Sequence, residues 1–173
     1  ILVTKIKDGS IFLIRKMLKN KMTNNLLTYK KVNSNTYQRL IWKINNEKIS
    51  RKYSRNVETF SYKSHVKWFE QTLKNNKESI YLAKKDKEVI GIIRRKKKEN
   101  KLFLSWALVK KFRGKNYGTS LIKEFIKKNN NTFFAEVHEL NKSSVKICKR
   151  AGFKFQRKKG NFLFFKLSKK TKA

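Results

Sequence analysis

The stretch from Ser79 to Val109 constrains the fold of this chain more than any other, because its residues follow the pattern of β-strands. It contains three such runs, "SIYLAKK", "EVIGIIRRKK" and "KLFLSWALV", which are rich in β-branched and aromatic residues. Short polar turns separate the runs, one at Asp86 and Lys87 and one around Glu99. Short turns between successive strands predict an antiparallel meander.

Before the meander, the sequence predicts one strand and two amphipathic helices. The run "LLTYKKV" at 26–32 is strand-like, and the helix after it would be capped by Asn33 or Ser34. The second helix would be capped by Ser61. Their predicted buried faces have helical spacing and consist of Tyr37, Leu40, Ile41 and Ile44 in the first helix and Val66, Phe69 and Leu73 in the second.

After the meander, helical and strand-like segments alternate. We predict helices at 117–128 and 143–151, a buried strand at 132–138, and a final pair of strands. The element order β-α-α-β-β-β-α-β-α-β-β predicts a mixed α/β (α+β) fold. No segment rich in proline, glycine or serine interrupts it, so residues 22–173 are expected to form one domain.

The first 21 residues are interpreted as an N-terminal extension outside this domain. They lack an initiating Met, and Met17 and Met22 are alternative starts. Their apolar run "IFLI" is shorter than the roughly 7 to 15 residues of a signal-peptide core. The extension is therefore either upstream translation or the remnant of a preceding domain.

The chain is strongly basic: it has 46 Lys and Arg against 11 Asp and Glu, a formal net charge of +35 in 173 residues. Such a charge attracts polyanions. However, the lysines are spread over almost every segment, and proline is absent, so compositional bias explains the charge equally well. Nucleic acid is therefore expected as a partner only through non-specific charge.

Cysteine and histidine are scarce. The single cysteine, Cys148, cannot form an intrachain disulfide, and two histidines and one cysteine are too few and too scattered to suggest a metal site. No apolar run approaches the roughly 20 residues that span a bilayer. These features predict a cytoplasmic protein without membrane insertion.

The segment "KKFRGKNYGTS" at 110–120 links the third strand of the meander to a helix. A basic, glycine-containing turn at a helix N-terminus combines unpaired N–H groups with the positive end of the helix dipole, an arrangement that binds phosphate. Gly114 and Gly118 would allow unusual backbone dihedrals or close approach of a ligand. The alternative is an ordinary strand-to-helix turn made basic by composition.

Two motifs resemble the GNAT acetyltransferase superfamily. "RGKNYG" at 113–118 is similar to its pyrophosphate loop, except that Asn116 stands where a glycine is usual; Asn tolerates left-handed backbone geometry well. "AEVHELNKSSVKICKRAGFKF" at 135–155 resembles the superfamily's strand, Asn-containing turn, helix and Gly-Phe. The resemblance covers roughly 26–168 and implies a mixed sheet of about seven strands flanked by about four helices.

The resemblance also implies acetyl-CoA as cosubstrate, bound where two strands splay apart. Asn141 and the backbone of Leu108 and Val109 are expected to contact the pantetheine arm. The other expected contacts surround the pyrophosphate loop: Arg113, Gly114, Lys115, Asn116, Tyr117, Gly118, Thr119 and Ser144.

The stretch 42–73 is similar to the GNAT branch that acetylates a UDP-linked 4-amino-4,6-dideoxy sugar in bacterial pseudaminic acid biosynthesis. The similarity rests on Trp42, Arg51, Ser54, His65, Trp68 and Phe69, whereas Lys43 and Ile44 depart from it. It implies a UDP-4-amino-4,6-dideoxy-N-acetyl-altrosamine-like acceptor, with Arg51, His65 and Trp68 as substrate-binding residues. Arg51 and His65 would donate hydrogen bonds to it. His65 as a surface or capping residue and Trp68 as a packing residue are the alternatives.

Two residues are candidates for proton transfer. Glu136 lies in the apolar run "FFAEV", where partial desolvation would make a carboxylate a better base; an outward-facing Glu136 is the alternative, and His138 a weaker substitute. Cys148 occupies the position of the superfamily's usual Tyr acid. It could donate a proton to the departing thiolate, or simply pack on an apolar face while solvent protonates the thiolate.

Two further functions remain open. The acceptor could be a protein N-terminus, as in the ribosomal-protein acetyltransferases. Alternatively, the fold could have lost catalysis and serve as a basic RNA-binding protein. A homodimer is compatible with any of these functions.

Overall fold

The computed structural model describes residues 27–169, so the predicted extension at 1–21 lies outside the described residues. The strands are β1 (Thr28–Lys31), β2 (Glu78–Lys85), β3 (Glu88–Lys98), β4 (Lys101–Leu108), β5 (Phe133–His138), β6 (Lys154–Lys159) and β7 (Phe162–Leu167). The α-helices are α1 (Gln38–Asn46), α2 (Lys48–Lys52), α3 (Tyr62–Lys74), α4 (Tyr117–Lys128) and α5 (Lys142–Ala151). Short 3-10 turns occur at Asn35–Tyr37 and Lys110–Phe112.

The strands form one mixed sheet in the order β1-β2-β3-β4-β5-β7-β6. Within the described sheet, β4 and β5 are the one parallel pair of neighbours, and the other pairs are antiparallel. The predicted meander and the seven-stranded sheet are therefore confirmed. The short helix α2 raises the helix count of the described chain from the expected four to five.

The helices before the meander differ from the prediction in detail. Ser61 caps α3 as expected, because its hydroxyl accepts a hydrogen bond from the Ser64 amide at 3.1 Å. Ser34 makes no such bond, and α1 begins only at Gln38. On α3 the buried residues are His65, Phe69 and Thr72, so the buried face is rotated by about one residue from the predicted one.

Helices pack on both faces of the sheet. On one face, α1 and α3 bury an apolar cluster against β2 and β3, formed by Val32, Ile41, Ile44, Phe69, Ile80, Leu82 and Ile92. On the other face, α4 and α5 bury a larger cluster that includes Ile93, Leu104, Leu121, Phe125, Phe133, Ala135, Cys148 and Phe165. Among residues 27–169, every helix is either too short or too polar to span a bilayer.

The sheet opens between β4 and β5. These strands pair only near their first residues, at Leu102 with Phe133 and at Phe103 with Phe134. Beyond this point β4 continues along β3 to Leu108, and β5 continues along β7 to His138. The two parallel strands therefore diverge toward their C-terminal ends and leave a wedge in the middle of the sheet.

Candidate functional site

A cavity of about 1120 Å³ occupies this wedge. Its walls are the diverging ends of β4 and β5, the loop that leads into α4, the start of α5, and the segment from α2 to α3. Because a pair of strands that no longer share hydrogen bonds exposes backbone groups, the wedge can accept an extended polar ligand along its edges.

The loop at one end of the cavity has the backbone geometry of an anion-binding turn. Gly114 has φ of 75° and Asn116 has φ of 61°, so both are left-handed. The carbonyl of Asn116 accepts the Thr119 amide at 3.1 Å and begins α4. The amides of Tyr117 and Gly118 precede this bond and, as the first amides of an α-helix, have no partner within the helix; both residues line the cavity. Asn116 thus takes the conformation for which a glycine is usual.

Gly118 has a structural reason to lack a side chain. A Cβ at this position would lie 2.5 Å from Cδ1 of Ile147 in α5. The glycine therefore permits the close contact of α4 with the second half of α5. A second link is the hydrogen bond from Nη1 of Arg150 to Oδ1 of Asn116, at 3.2 Å.

Arg113 is turned back toward the protein. Its Nε and Nη2 atoms donate to the carbonyl of Leu108 at 3.1 and 2.8 Å, and Nη2 forms an ion pair with Glu47 at 2.5 Å. The guanidinium thus holds the end of β4 in place. The Leu108 carbonyl, one of the expected pantetheine contacts, already has a donor.

Most of the expected cosubstrate residues line the cavity: Leu108, Arg113, Gly114, Asn116, Tyr117, Gly118, Thr119, Asn141 and Ser144. Val109 and Lys115 do not, because Val109 packs against the α1 and α3 cluster and Lys115 is exposed. Asn141 caps α5, with its Oδ1 accepting the Ser144 amide at 3.1 Å, so its amide nitrogen is the group left to contact a ligand.

Glu136 projects from β5 into the cavity. Its carboxylate lies 2.6 Å from Nε of Arg55, which comes from the segment between α2 and α3; the two side chains are 17% and 63% exposed. Arg55 also lies over the ring of Phe162, with its guanidinium carbon 4.6 Å from the centroid. Among the described residues that line the cavity, Glu136 is the one with an acidic side chain.

His138 lies two residues beyond Glu136 on the same side of β5. Its Nδ1 atom accepts a hydrogen bond from the Leu140 amide at 3.2 Å, so in the neutral ring the proton is on Nε2. This tautomer presents a donor to the cavity. His138 therefore suits hydrogen-bond donation to a ligand better than proton abstraction.

The prediction of Cys148 as the acid does not agree with the structure. Its side chain is fully buried between α5 and the sheet, in the apolar cluster with Phe153 and Phe165, and it is not part of the cavity wall. Burial raises the pKa of the thiol to about 12. The thiol is a packing group, which was the alternative that the sequence left open.

Arg51 mainly organises the segment between α2 and α3, which covers the side of the cavity where the acceptor is expected, the acceptor side. Its Nε donates to the Glu58 carbonyl at 2.8 Å, and its Nη2 donates to the Asn56 carbonyl. Its guanidinium carbon lies 5.2 Å from the centroid of the Phe60 ring. Arg51 lines the cavity, but much of its hydrogen-bonding capacity holds residues 53–60 in their turn.

His65 is neither a surface nor a capping residue, and it lines the cavity with its Nδ1 atom buried and without a hydrogen-bond partner in the described chain. The side chain is 1% exposed, and its Nε2 contacts the Gln38 carbonyl at 3.0 Å. Rings surround it on several sides, including Phe60, Trp68 and Phe69. His65 thus supports the cavity wall. Trp68 is partly exposed and also lines the cavity, and the guanidinium carbon of Arg94 lies 5.1 Å from the centroid of its ring.

The sequence analysis missed several cationic residues that line the cavity. Arg55, Arg94, Lys96, Lys98 and Arg150 were not singled out, although all lie in the wall. On β3 the alternation of side chains could have identified Arg94, Lys96 and Lys98, because they share one face with Ile92, which is buried under α1 and α3. In so basic a chain this signal is hidden among lysines that face solvent.

Comparison with known protein families agrees with the geometry. The family model described as "Acetyltransferase (GNAT) domain" matches residues 27–154, about three quarters of the chain. No curated protein matches the sequence significantly.

Several solved structures share the fold at low sequence identity. Spermidine N-acetyltransferase from Vibrio cholerae, in complex with CoA and spermine, has a TM-score of 0.69 at 14% identity, covering 81% of this chain and 92% of that one. The N-acetyltransferase PseH from Campylobacter jejuni, in complex with acetyl coenzyme A, has a TM-score of 0.64 at 20% identity, with coverages of 83% and 99%. AAC(6')-Ib, in complex with ribostamycin and coenzyme A, has a TM-score of 0.72 at 12% identity, with coverages of 84% and 94%.

Proposed function

The chain belongs to the GNAT family and is an acetyl-CoA-dependent N-acetyltransferase, and we propose that its acceptor is an amine on an anionic, phosphate-bearing small molecule of the nucleotide-sugar class. A UDP-linked 4-amino-4,6-dideoxy sugar is the specific acceptor that we put forward. The excess of cationic side chains around the acceptor side of the cavity carries this proposal.

The residues of the wedge suit acetyl-CoA. The left-handed positions Gly114 and Asn116 direct the chain so that the amides of Tyr117 and Gly118 can donate to the pyrophosphate, and the splayed edges of β4 and β5 suit the pantetheine amides. Asn141, at the start of α5, would donate its side-chain amide to the same arm. When bound, the cosubstrate would supply an activated acetyl thioester.

The acceptor side of the cavity is strongly cationic. Its lining includes Arg51, Arg55, Arg94, Lys96 and Lys98. Two carboxylates offset them: Glu136 pairs with Arg55, and the buried Glu78 pairs with Arg94 and with Lys96, the latter at 3.2 Å. Five cations against two carboxylates leave a net charge of about +3, which favours phosphate groups through charge-assisted hydrogen bonds.

The same charge argues against a polycationic acceptor. Spermidine and the aminoglycosides carry several ammonium groups, which require carboxylates in their binding sites. Among the described lining residues Glu136 is the one carboxylate, and Arg55 already pairs with it. The fold is shared with enzymes named for both kinds of acceptor, but the side chains of this cavity suit neither.

The proposed reaction is direct acetyl transfer. Glu136 takes the proton of the acceptor ammonium, through water or directly, once the ligand has displaced Arg55 from the carboxylate. The neutral amine nitrogen then forms a bond to the carbonyl carbon of the thioester, and the bond from that carbon to sulfur breaks. The nitrogen releases one of its two remaining protons to solvent, so the amide keeps a single N–H. Solvent protonates the departing thiolate, because Cys148 is buried away from the cavity.

Release of coenzyme A from acetyl-CoA, followed with a thiol reagent, tests the proposal. The acceptors are UDP-4-amino-4,6-dideoxy-N-acetyl-altrosamine, spermidine, ribostamycin and a ribosomal-protein N-terminal peptide, each assayed alone. Turnover with the UDP-sugar and not with the two polycations would support the proposed class. Turnover with spermidine, ribostamycin or the peptide alone would overturn it.

A further inference from the structure

The sheet face that carries the acceptor cavity continues beyond it as an exposed surface. Three phenylalanines lie on this surface, Phe103 on β4, Phe134 on β5 and Phe164 on β7, and each is partly exposed. The apolar clusters beneath the described helices include none of the three. Large aromatic side chains left partly exposed on neighbouring strands, outside the apolar clusters, require an explanation.

The register of the strands brings these rings together. Phe103 pairs with Phe134, and their ring centroids are 5.6 Å apart. Phe164 pairs with Glu136, two residues along β5 from Phe134. Because side chains two residues apart on a strand share one face, Phe164 lies on the same face as the Phe103 and Phe134 pair, and the three residues form a row across three strands.

Basic side chains surround the row. Nζ of Lys101 lies 5.8 Å from the centroid of Phe134, Nζ of Lys98 lies 5.2 Å from that of Phe103, and the guanidinium carbon of Arg157 lies 4.7 Å from that of Phe164. The register also places Lys154, Lys159 and Lys166 on this face. We call the three phenylalanines and these six cations the aromatic-basic face.

The charge of this surface restricts what can cover it. Within the described strands, Glu136 is the one acidic residue on this side of β4, β5, β6 and β7, and Arg55 pairs with it. A second copy of the chain would bring the same cations against these and be repelled. A polyanion is complementary, and one that also carries flat apolar groups would use the rings as well as the charges.

We propose that the aromatic-basic face binds single-stranded nucleic acid. Bases would stack on Phe134 and its neighbours. Lys98, Lys101 and Arg157 now contact the rings only through exposed cation–π interactions, so phosphates could draw these cations away from the rings. A row of rings on a sheet with cations beside it provides both contributions that sequence-tolerant binding of single strands requires. A duplex, whose bases are stacked inside, would use only the charges.

This inference goes beyond the proposed acetyl transfer and does not depend on it. The face adjoins the cavity at Lys98 and Phe103, so the test uses residues away from the cavity lining. The probe is a fluorescein-labelled single-stranded RNA of about 12 nucleotides, within the range of known site sizes, and binding to the full chain is followed by fluorescence anisotropy. The acetyl-CoA thermal shift of each variant reports whether its fold is intact.

Two matched pairs of variants separate the face from the general charge. Phe134→Ala is compared with Phe155→Ala, whose ring is 56% exposed and lies on the opposite side of the sheet, beside Phe165. The second comparison uses two double variants. One carries Lys101→Ala and Lys154→Ala on the face, and the other carries Lys127→Ala and Lys149→Ala at exposed lysines of α4 and α5. Both double variants remove the same charge.

We expect Phe134→Ala to weaken binding about tenfold and Phe155→Ala to leave it within about twofold. Affinity is measured at several salt concentrations between about 50 and 200 mM. The Lys101 and Lys154 double variant should bind more weakly, and its affinity should depend less steeply on salt concentration. Both changes should be much smaller in the Lys127 and Lys149 double variant. Equal losses in the two double variants would show diffuse attraction and overturn the proposal. Absence of binding, or equal affinity for a duplex of the same length, would also overturn it.

Discussion

The carboxylate of Glu136 and the guanidinium of Arg55 form an ion pair at 2.6 Å across the acceptor side of the cavity. Glu136 belongs to β5, whereas Arg55 belongs to the connection between α2 and α3. The proposed base therefore also anchors the segment that covers it. In the proposed reaction, binding of the acceptor exchanges this pair for a pair between Arg55 and a ligand anion.

Replacement Glu136→Gln should reduce kcat strongly while sparing cosubstrate binding. The amide keeps the size of the side chain and can still accept a hydrogen bond from Arg55, but it cannot take a proton. We expect kcat to fall about 10²- to 10⁴-fold, with an unchanged dissociation constant for acetyl-CoA in calorimetry. A decrease of less than about threefold would limit Glu136 to anchoring Arg55.

Replacement Arg55→Ala tests the other partner of the pair. If Arg55 donates to a phosphate of the acceptor, the loss of a charge-assisted hydrogen bond should raise KM for the acceptor about tenfold or more. KM for acetyl-CoA should not change, because the loop before α4 is untouched. Arg55→Lys keeps the charge and should recover part of the loss; equal KM values in all three proteins would remove Arg55 from acceptor binding.

The left-handed backbone of Asn116 predicts an order of substitutions at the pyrophosphate loop. Asn116→Gly and Asn116→Val both lose the hydrogen bond from Arg150, but only valine is strained at a φ of 61°. Left-handed geometry costs a non-glycine residue about 1 to 2 kcal/mol. Asn116→Val should therefore bind acetyl-CoA about tenfold more weakly than Asn116→Gly in calorimetry, and equal affinities would show that the loop does not depend on this geometry.

The periodicity of the sequence was sufficient to predict the sheet. The meander from Ser79 to Val109 and the buried strand at 132–138 were identified because strand alternation and short turns are local properties. Helix α2 was not predicted, since five residues are too few to show a helical period. The face of α3 was misplaced because Val66 resembles a core residue, whereas the tertiary structure buries His65.

The candidate site was predictable only in part, for a different physical reason. Motif spacing located the loop at 113–118 and Glu136, whose side chain does face the cavity. The ion pair of Glu136 with Arg55 joins residues far apart in sequence, and no local pattern specifies it. The direction in which Cys148 points depends on the packing of α5 against the sheet, which the spacing from Asn141 does not determine.

The burial of Cys148 predicts that its removal affects stability rather than chemistry. Cys148→Ala deletes the sulfur from a packed core and should lower the free energy of unfolding by about 1 to 2 kcal/mol. Turnover at saturating substrates should remain within about twofold of wild type, measured by an assay of acetylated product. The native thiol should also resist thiol reagents, because burial raises its pKa to about 12. A large loss of kcat with normal stability would restore the acid role.

The buried ring of His65 predicts acid sensitivity of the fold. Burial lowers the pKa of His65, so the unfolded chain takes up a proton more readily than the folded one. Stability from this residue is therefore complete above about pH 6.5, the ordinary histidine value, and is lost as the pH falls below it. In urea titrations between about pH 7.5 and 5, the free energy of unfolding should decrease by at most about 1.4 kcal/mol per pH unit on account of His65.

Replacement His65→Gln isolates this contribution. A glutamine can place an amide donor near the Gln38 carbonyl that the His65 ring now contacts, yet it does not titrate, so the decrease below pH 6.5 should become smaller. His138→Gln replaces the protein's other histidine, which is partly exposed at the cavity, and separates its effect from that of His65. If the wild-type dependence persisted unchanged in His65→Gln, the acid sensitivity would belong to other groups, and the ring would act in the cavity wall by packing alone.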